Sequence, residues 1–144
     1  MAKYEVNGVF ETIRLGKTLG ESITSPVVIE LIGELGVGKT HFAKGVALGL
    51  EVTEELSSPT FPLVNLYEGG RLPLAHLDGY RLRSLEEAHM AGLEEVLQDN
   101  GVALVEWGDF LRPFYTHPVI CVFLEGIPGK DDGRRIEIHE PKGV

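Results

Sequence analysis

Residues 33–40, which read GELGVGKT, constrain the fold of this chain more than any other feature. They match the pattern G-x-x-x-x-G-K-[ST] in full, and a loop of this kind acts between a strand and a helix. The residues of Val27–Ile32 are mostly apolar and β-branched, which predicts a buried strand before the loop. After the loop, Phe42, Val46 and Leu50 share one face of a helix. The sequence therefore predicts a strand, a glycine loop and a helix in this order.

The residue types of this loop suit the binding of phosphate groups. Glycine lets the backbone take positive φ angles and approach a ligand closely, so that successive N–H groups can point toward phosphate oxygens. The N-terminus of the next helix adds partial positive charge. Lys39 supplies a full charge for the β- and γ-phosphates, and Thr40 supplies a hydroxyl oxygen of the kind that Mg²⁺ prefers. The alternative is a chance glycine turn between a strand and a helix. The predicted nucleotide contacts here are Gly33, Glu34, Leu35, Gly36, Val37, Gly38, Lys39, Thr40 and His41.

The rest of the chain predicts further strands and helices. A helix is predicted over residues 10–23 with Asn7 as its N-cap, and Ser84 with Glu87 forms a capping box that opens a helix to about residue 98. Loops are predicted over 57–61 and 126–133, and strands over 63–67, 72–77, 101–106, 119–124 and 135–139. A Gly-Gly turn joins the strands 63–67 and 72–77 as a hairpin. This order indicates the α/β class, with a mostly parallel central sheet flanked by helices and one added hairpin, in a single domain over 1–144.

Composition narrows the function. Hydrophobic residues make up 43% of the chain, enough for a core, and the net charge of −9 argues against a large nucleic-acid-binding surface of its own. No apolar run approaches the ~20 residues of a membrane helix, and the first residues, MAKYE, lack the apolar stretch of a secretory signal. Cys121, the one cysteine, is expected to be a small buried side chain. These features predict a cytoplasmic protein with no membrane role.

A second acidic residue is needed near the metal of a phosphate loop, and Glu106 is the candidate. It follows the apolar run Val-Ala-Leu-Val at the end of a predicted buried strand, the pattern of a Walker B strand with Glu in place of Asp. Because Mg²⁺ keeps several waters, Thr40 and Glu106 would suffice as protein ligands. The alternative is that Glu106 simply starts a loop. Trp107 is predicted at the rim of the site, with a packing role as the alternative.

The string HLDGYR contributes a further candidate. Strand alternation places His76 and Asp78 on one face. Zinc binding is disfavoured because no cysteine or second close histidine completes a ligand set. Asp78 could orient an attacking water, and the alternative is that it starts a turn. Thr60 could reach the γ-phosphate, or serve as a turn hydroxyl.

The sequence gives weaker signals for the identity of the nucleotide and for the class of reaction than for the phosphate loop. No N-K-x-D element for guanine occurs in the chain, which favours ATP over GTP. Thr12 and Arg134 are candidate contacts near the base. A small-molecule kinase could use the same loop, with Arg81 and Arg83 as lid residues, although no lid-sized insertion is present. A nucleotide-dependent switch without turnover is a third possibility.

With these strings together, the chain resembles the TsaE (YjeE) family, the small ATPases of bacterial tRNA threonylcarbamoyladenosine synthesis. The matching strings are GELGVGKT, SPTFPLVNLY, HLDGYR and VEWGD, in the order of the family and over nearly the whole chain. The resemblance implies a three-layer P-loop NTPase-like fold with an inserted antiparallel hairpin. Glu34 and Val37 stand where the family commonly has Asp and Ala, and both changes are conservative.

The resemblance also implies roles for individual residues. The phosphate-binding lysine of the family falls on Lys39, its magnesium ligands on Thr40 and Glu106, its required aspartate on Asp78 and its tryptophan on Trp107. ATP and Mg²⁺ are the implied cofactors. Members of the family hydrolyse ATP weakly alone and act with the TsaB and TsaD proteins. The tRNA is then met only indirectly, through these partners.

Overall fold

The computed structural model describes residues 1–34, 36–56 and 64–141. The predicted contacts Leu35 and Thr60 and the predicted loop 57–61 lie outside these ranges. The strands are β1 (Ala2–Asn7), β2 (Val27–Ile32), β3 (Val64–Tyr67), β4 (Leu74–Asp78), β5 (Val102–Glu106), β6 (Val119–Ile127) and β7 (Lys130–His139). The helices are α1 (Val9–Ser22), α2 (Lys39–Gly49), α3 (Leu85–Met90), α4 (Leu93–Gln98) and the 3₁₀ helix η1 (Asp109–Phe114).

The strands form a seven-stranded mixed sheet in the order β1-β7-β6-β2-β5-β4-β3. Its middle is parallel, because β2 pairs in parallel with both β5 and β6, and β4 pairs in parallel with β5. Its edges are antiparallel, through the hairpin β3–β4, the hairpin β6–β7 and the pairing of β1 with β7. The prediction of an α/β fold with a parallel centre and an inserted hairpin is confirmed. The second hairpin and β1 were not predicted.

Helices cover the two faces of the sheet and make the fold three-layered. On one face α1 and α2 pack against the sheet, with Phe42 of α2 fully buried over Ile29 and Leu31 of β2. On the other face α3, α4 and η1 pack over Val28 of β2, with Leu111 of η1 fully buried. Alternate residues of β2 thus enter opposite cores, as the pleat of a strand requires.

Three local predictions were wrong or incomplete. The N-cap of α1 is Gly8 (φ 88°), and the Asn7 N–H instead donates to Glu11 Oε1 at 3.2 Å. The helix predicted to run to residue 98 is two helices, because Gly92 adopts a φ of 81° between α3 and α4. The predicted N-cap of α3 is confirmed, since Ser84 Oγ accepts a hydrogen bond from the Glu87 N–H at 3.1 Å. The predicted loop 126–133 is mostly strand, and Gly129 (φ 81°) makes its turn.

Strand β1 has no sequence signal strong enough to predict it. Its residues read AKYEVN, and Val6 is the one buried side chain among them. The strand lies at the edge of the sheet, where it pairs with β7 from Ala2–Ile138 to Asn7–Gly133. Backbone hydrogen bonds to a neighbour hold such a strand, and the neighbour is far away in sequence.

Glycine lets α1 and α2 pack with their backbones in contact. Gly16 and Gly20 on α1 face Gly45 and Gly49 on α2. A Cβ atom added to Gly45 would lie 2.1 Å from the Ile13 carbonyl oxygen, and the other three glycines meet main-chain oxygens at 2.3–2.4 Å. This close approach brings the beginning of α1 next to the glycine loop that precedes α2.

Arg71, in the turn between β3 and β4, joins the far ends of the same two helices. Its Nη2 donates to the carbonyl oxygens of Gly20 at 3.0 Å and Gly49 at 2.9 Å, and its Nη1 donates to that of Ile23 at 3.1 Å. Carbonyl groups at a helix C-terminus lack partners within the helix and carry partial negative charge, so a guanidinium suits this position.

We expect Gly45→Ala to destabilise the protein, because the new methyl group meets main chain that cannot move without displacing α1. Overpacking of this kind costs about 1–3 kcal/mol, and a 2.1 Å approach to main chain places this site at the upper end of that range. Helix propensity returns about 1 kcal/mol, so the net loss should be about 2 kcal/mol. Urea unfolding of the variant and the wild type measures it. The control is Gly126→Ala, where a Cβ meets nothing within 4 Å. Equal stability of Gly45→Ala and wild type would contradict the close helix contact.

Candidate functional site

The candidate site lies where three parallel strands end at one edge of the sheet. In the strand register Leu31 of β2 is opposite Glu106 of β5, and Glu106 is opposite Asp78 of β4. The glycine loop leaves β2 one residue later and leads into α2. Ligands of open α/β sheets bind at this carboxyl edge. The sheet therefore brings together the loop and the two acidic residues that the sequence predicts.

The loop has the backbone shape of an anion-binding turn. Gly36 (φ 79°) and Gly38 (φ 105°) are both left-handed, which residues with a side chain rarely adopt. Gly38 is the N-cap of α2, and the Val37 N–H donates to the Glu34 carbonyl oxygen at 3.3 Å. Free N–H groups and the helix dipole converge at such a terminus and attract negative charge.

Lys39, the first residue of α2, carries a charge that is almost entirely buried. The residue is 5% exposed, and its Nζ has no hydrogen-bond partner among the described residues. Nζ lies 4.0 Å from the centroid of the Trp107 ring, a cation–π contact. Burial lowers the pKa of the Lys39 ammonium below its usual range, and the charges of Glu106 and Asp78 offset only part of this effect. The site thus holds a desolvated cation with no bonded anion in the described part of the chain.

Glu106 is held by a buried histidine. His76 is fully buried on β4, and its Nε2 lies 2.7 Å from Glu106 Oε2. His76 Nδ1 has no partner among the described residues. The tautomer with the proton on Nε2 therefore fits best, because it donates to the carboxylate and leaves no N–H without an acceptor. The sequence predicts that His76 shares a face with Asp78, but it gives no sign of the contact with Glu106, which lies 30 residues away.

Asp78 ends β4 and starts a turn. Its Oδ1 accepts from the Tyr80 N–H at 2.9 Å, and the Gly79 N–H donates to the Glu106 carbonyl oxygen at 2.8 Å. The turn that the sequence allowed for Asp78 is present. The turn also keeps the half-buried carboxylate next to Glu106 and close enough to Lys39 for their charges to interact.

Trp107 has a strained backbone at the mouth of the site. Its φ is 55°, in the left-handed region that bulky residues avoid. The residue is 36% exposed, and its ring lies over Lys39 and meets the Tyr80 ring edge-to-face at 5.3 Å between ring centroids. Strain of this kind is maintained only where surrounding structure requires it, and it is concentrated at functional sites.

The remaining predicted residues are distributed around the loop. Thr12 is buried on α1, with its hydroxyl donating to the Gly8 carbonyl oxygen at 3.1 Å and its methyl 3.9 Å from the position of a Cβ on Gly38. Thr40 and His41 are half-buried in the first turn of α2. Arg134 reaches the loop through the Val37 carbonyl oxygen, with Nε at 2.9 Å.

A charged network below the site was not predicted. Glu30 of β2 is 2% exposed and accepts from Arg112 of η1, with Nη2–Oε1 at 2.9 Å, and from the Tyr115 hydroxyl at 2.8 Å. Cys121 Sγ also lies 3.4 Å from Oε1, and the residue is half-buried, whereas the sequence predicts a small buried side chain. Arg112 is 82 residues from Glu30, so no local pattern in the sequence could pair them.

The described part of the chain contains no cluster of three or more His, Cys, Asp or Glu residues that could hold a metal ion. A search of the same residues for a helix long and apolar enough to cross a membrane found none.

Comparison with known proteins adds the family. The family profile described as "Threonylcarbamoyl adenosine biosynthesis protein TsaE" matches residues 6–136. The chain belongs to the TsaE family. This confirms the resemblance seen in the sequence strings, and members of the TsaE family take part in the biosynthesis of threonylcarbamoyladenosine in tRNA.

Individual TsaE relatives are similar over most of the chain. The tRNA threonylcarbamoyladenosine biosynthesis protein TsaE of Treponema pallidum is 46% identical over 109 residues, which are 74% of this chain and 80% of that protein. The protein of the same description from Nostoc is 40% identical over 133 residues, 88% of this chain and 78% of its own. The crystal structure of Bacillus subtilis YdiB aligns with a TM-score of 0.79 at 30% identity, over 96% of this chain and 84% of that chain.

We expect Glu30→Gln to destabilise this TsaE-family protein in a pH-dependent way. Burial raises the pKa of Glu30, but the hydrogen bonds from Arg112, Tyr115 and Cys121 and the Arg112 charge lower it further, to below its usual value. The stabilisation is therefore fully present above the unfolded pKa of about 4.3, and is lost as pH falls through the folded pKa.

The expected loss at pH 7 is roughly 1–3 kcal/mol, less than for a fully buried pair, because the Arg112 side chain is 55% exposed. Unfolding free energies of wild type and variant at pH 7 and near pH 3 measure it, and the difference should shrink at low pH. Glu125→Gln, at an exposed pair with Arg135, is the control and should change little. A difference that does not depend on pH would contradict the ionised state of Glu30.

Proposed function

We propose that this chain binds ATP and hydrolyses it with Mg²⁺, and that this activity is required, together with a TsaB–TsaD assembly, for the threonylcarbamoyl modification of adenosine in tRNA. The observation that carries the proposal is the buried Lys39 ammonium, without a bonded anion among the described residues, at the helix terminus behind the glycine loop. A buried unpaired charge is costly, and a phosphate group is the anion that this geometry suits.

The loop and its flanks would hold the nucleotide. Residues 33–41, including Leu35 outside the described part, are the proposed phosphate contacts, with Lys39 on the β- and γ-phosphates. Thr12 and Arg134 flank the loop, and Thr60 is retained as a proposal from the sequence. The absence of an N-K-x-D string from the chain supports ATP over GTP.

Thr40 and Glu106 are the proposed ligands of Mg²⁺. The donor set fits this ion, because both side chains offer oxygen and Mg²⁺ takes few protein ligands and several waters. When bound, the ion neutralises negative charge on the nucleotide phosphates. His76 keeps the Glu106 carboxylate in one orientation through the 2.7 Å contact.

Asp78 is the proposed group that orients the attacking water. It is the last residue of β4 and lies directly opposite Glu106, the last residue of β5. Its contact with the Tyr80 N–H fixes one carboxylate oxygen, so the other has a defined direction. Trp107 covers Lys39 and limits access of water to its ammonium.

The charge of the chain indicates that the partner proteins bind the tRNA. A net charge of −9 in 144 residues disfavours direct binding of tRNA, so we propose that TsaB and TsaD bind the tRNA. We propose one ATPase domain over 1–144 that acts in the cytoplasm and is weakly active until its partners bind.

The central experiment measures ATP hydrolysis and tRNA modification by the TsaB–TsaD pair with and without this protein. We expect faster hydrolysis with the pair, and modification that depends on this protein. Lys39→Ala should lose nearly all ATP binding, because a charged contact is removed from a desolvated site. Lys44→Ala, five residues further along α2, is the matched control and should bind ATP normally. Equal hydrolysis rates and normal modification without this protein would refute the proposal, and label transfer from ATP to a metabolite would favour a small-molecule kinase.

A second experiment tests the metal ligand. Glu106→Gln keeps the shape of the side chain and the hydrogen bond from His76 but removes the charge. We expect the Mg²⁺ concentration for half-maximal hydrolysis to rise roughly 10-fold or more, while metal-free nucleotide binding changes little. Asp109→Asn, at an exposed carboxylate three residues on, is the control. Unchanged metal dependence in Glu106→Gln would remove this residue from the metal site.

A further inference from the structure

Arg134 on β7 reaches away from its own strand to the glycine loop. Its Nε donates to the Val37 carbonyl oxygen at 2.9 Å. Its Nη1 donates to the carbonyl oxygens of Asp131 at 3.0 Å and Gly133 at 2.8 Å. One planar guanidinium thus bridges the backbone of the β6–β7 hairpin and the backbone of the loop, and lysine, with a single nitrogen, cannot reproduce this fork.

The hairpin behind Arg134 is itself firmly anchored. Arg134 is paired on one side with Val6 of β1 and on the other with Gly126 of β6. The Gly8 N–H, at the start of α1, donates to the Asp132 carbonyl oxygen at 2.8 Å. The guanidinium therefore links the loop to a part of the sheet that is held from three directions.

Contact with the Val37 carbonyl determines where the next N–H points. The peptide unit between Val37 and Gly38 is planar and trans, so its C=O and N–H point in opposite directions. Arg134 draws the C=O toward the hairpin, and the Gly38 N–H is thereby directed to the other side. Among the described residues, no main-chain carbonyl accepts a hydrogen bond from that N–H. It lies immediately before Lys39, at the helix terminus where an anion would be bound.

We propose that Arg134 is a positioning residue for the phosphate loop, which orients the Val37–Gly38 peptide so that the Gly38 N–H faces the bound phosphate. The proposal rests on the proposed nucleotide-binding function and deepens it. Arg134 acts here through the loop backbone and not as a contact to the base, which was its role in the prediction from sequence.

The experiment measures binding of three ligands by calorimetry: Mg–ATP, Mg–ADP and inorganic triphosphate with Mg²⁺. Four proteins are compared, namely wild type, Arg134→Gln, Arg134→Lys and Arg135→Gln. Arg135 is the neighbour on the same strand and pairs with Glu5 and Glu125 at the surface, so its variant removes the same charge without touching the loop. Thermal unfolding without ligand checks that each variant is folded. Arg134→Lys keeps the charge and the aliphatic stem, and serves alone if Arg134→Gln does not fold.

We expect both Arg134 variants to lose roughly 10-fold in affinity, because a hydrogen bond to a charged group is misdirected. The factor should be the same for ATP, ADP and triphosphate, because the Gly38 N–H faces a phosphate common to all three. Arg135→Gln should bind like wild type.

Four results would overturn the inference. The first is wild-type affinity in Arg134→Lys, which would indicate a role of charge alone, and the second is an equal loss of affinity in Arg135→Gln. The third is a loss of affinity for ATP much larger than for ADP. The fourth is a loss of affinity for ATP with no loss for triphosphate. The last two would indicate direct contact with the γ-phosphate or with the nucleoside. Wild-type protein that binds none of the ligands would refute the proposed function and this inference together, whereas normal binding by both Arg134 variants would refute this inference alone.

Discussion

The site depends on one constraint: a lysine ammonium is buried at the edge where three parallel strands end. Lys39 loses most of its hydration, and what surrounds Nζ in the described structure is the face of Trp107 and the charges of Glu106 and Asp78 at longer range. These contacts offset only part of the cost of desolvation, which is why the pKa of Lys39 is lowered. A phosphate group would supply the missing negative charge, and the position of α2 gives it a helix terminus as well.

Holding this charge requires a rigid frame, and backbone contacts provide much of it. Gly16 and Gly45 bring α1 and α2 so close that a methyl group at either would collide with main chain. Arg71 bonds the carbonyl groups at the ends of both helices, and Arg134 bonds the carbonyl group of the loop itself. Both arginines act on the backbone. They therefore fix the positions of helices and of the loop, and the number of charged residues in the chain gives no sign of this role.

The opposite face of the sheet carries a second polar arrangement that fixes the segment after β5. Glu30 of β2 accepts hydrogen bonds from Arg112 and Tyr115 on this face, and the Tyr115 hydroxyl also lies 3.3 Å from the Gly108 carbonyl oxygen. Gly108 directly follows Trp107, whose φ is 55°. The network thus fixes the chain on the C-terminal side of the strained residue, while the hydrogen bond from Gly79 to the Glu106 carbonyl fixes the chain on its N-terminal side. Strain at Trp107 is maintained because both flanks are held.

The sequence by itself determined the local elements and the residue types of the site. The apolar, β-branched run Val27–Ile32, the glycines before Lys39 and the apolar run before Glu106 are local signals, and the strands and the helix that they predict are present. Edge strand β1 was not predicted, because its stability comes from pairing with β7, which is more than 120 residues away in the sequence. The tertiary structure alone decided the pairs that join distant parts of the chain, such as His76 with Glu106 and Arg134 with Val37. A hydrogen bond depends on distance and direction between atoms, and these are set by strand order and register, which local patterns of residues do not encode.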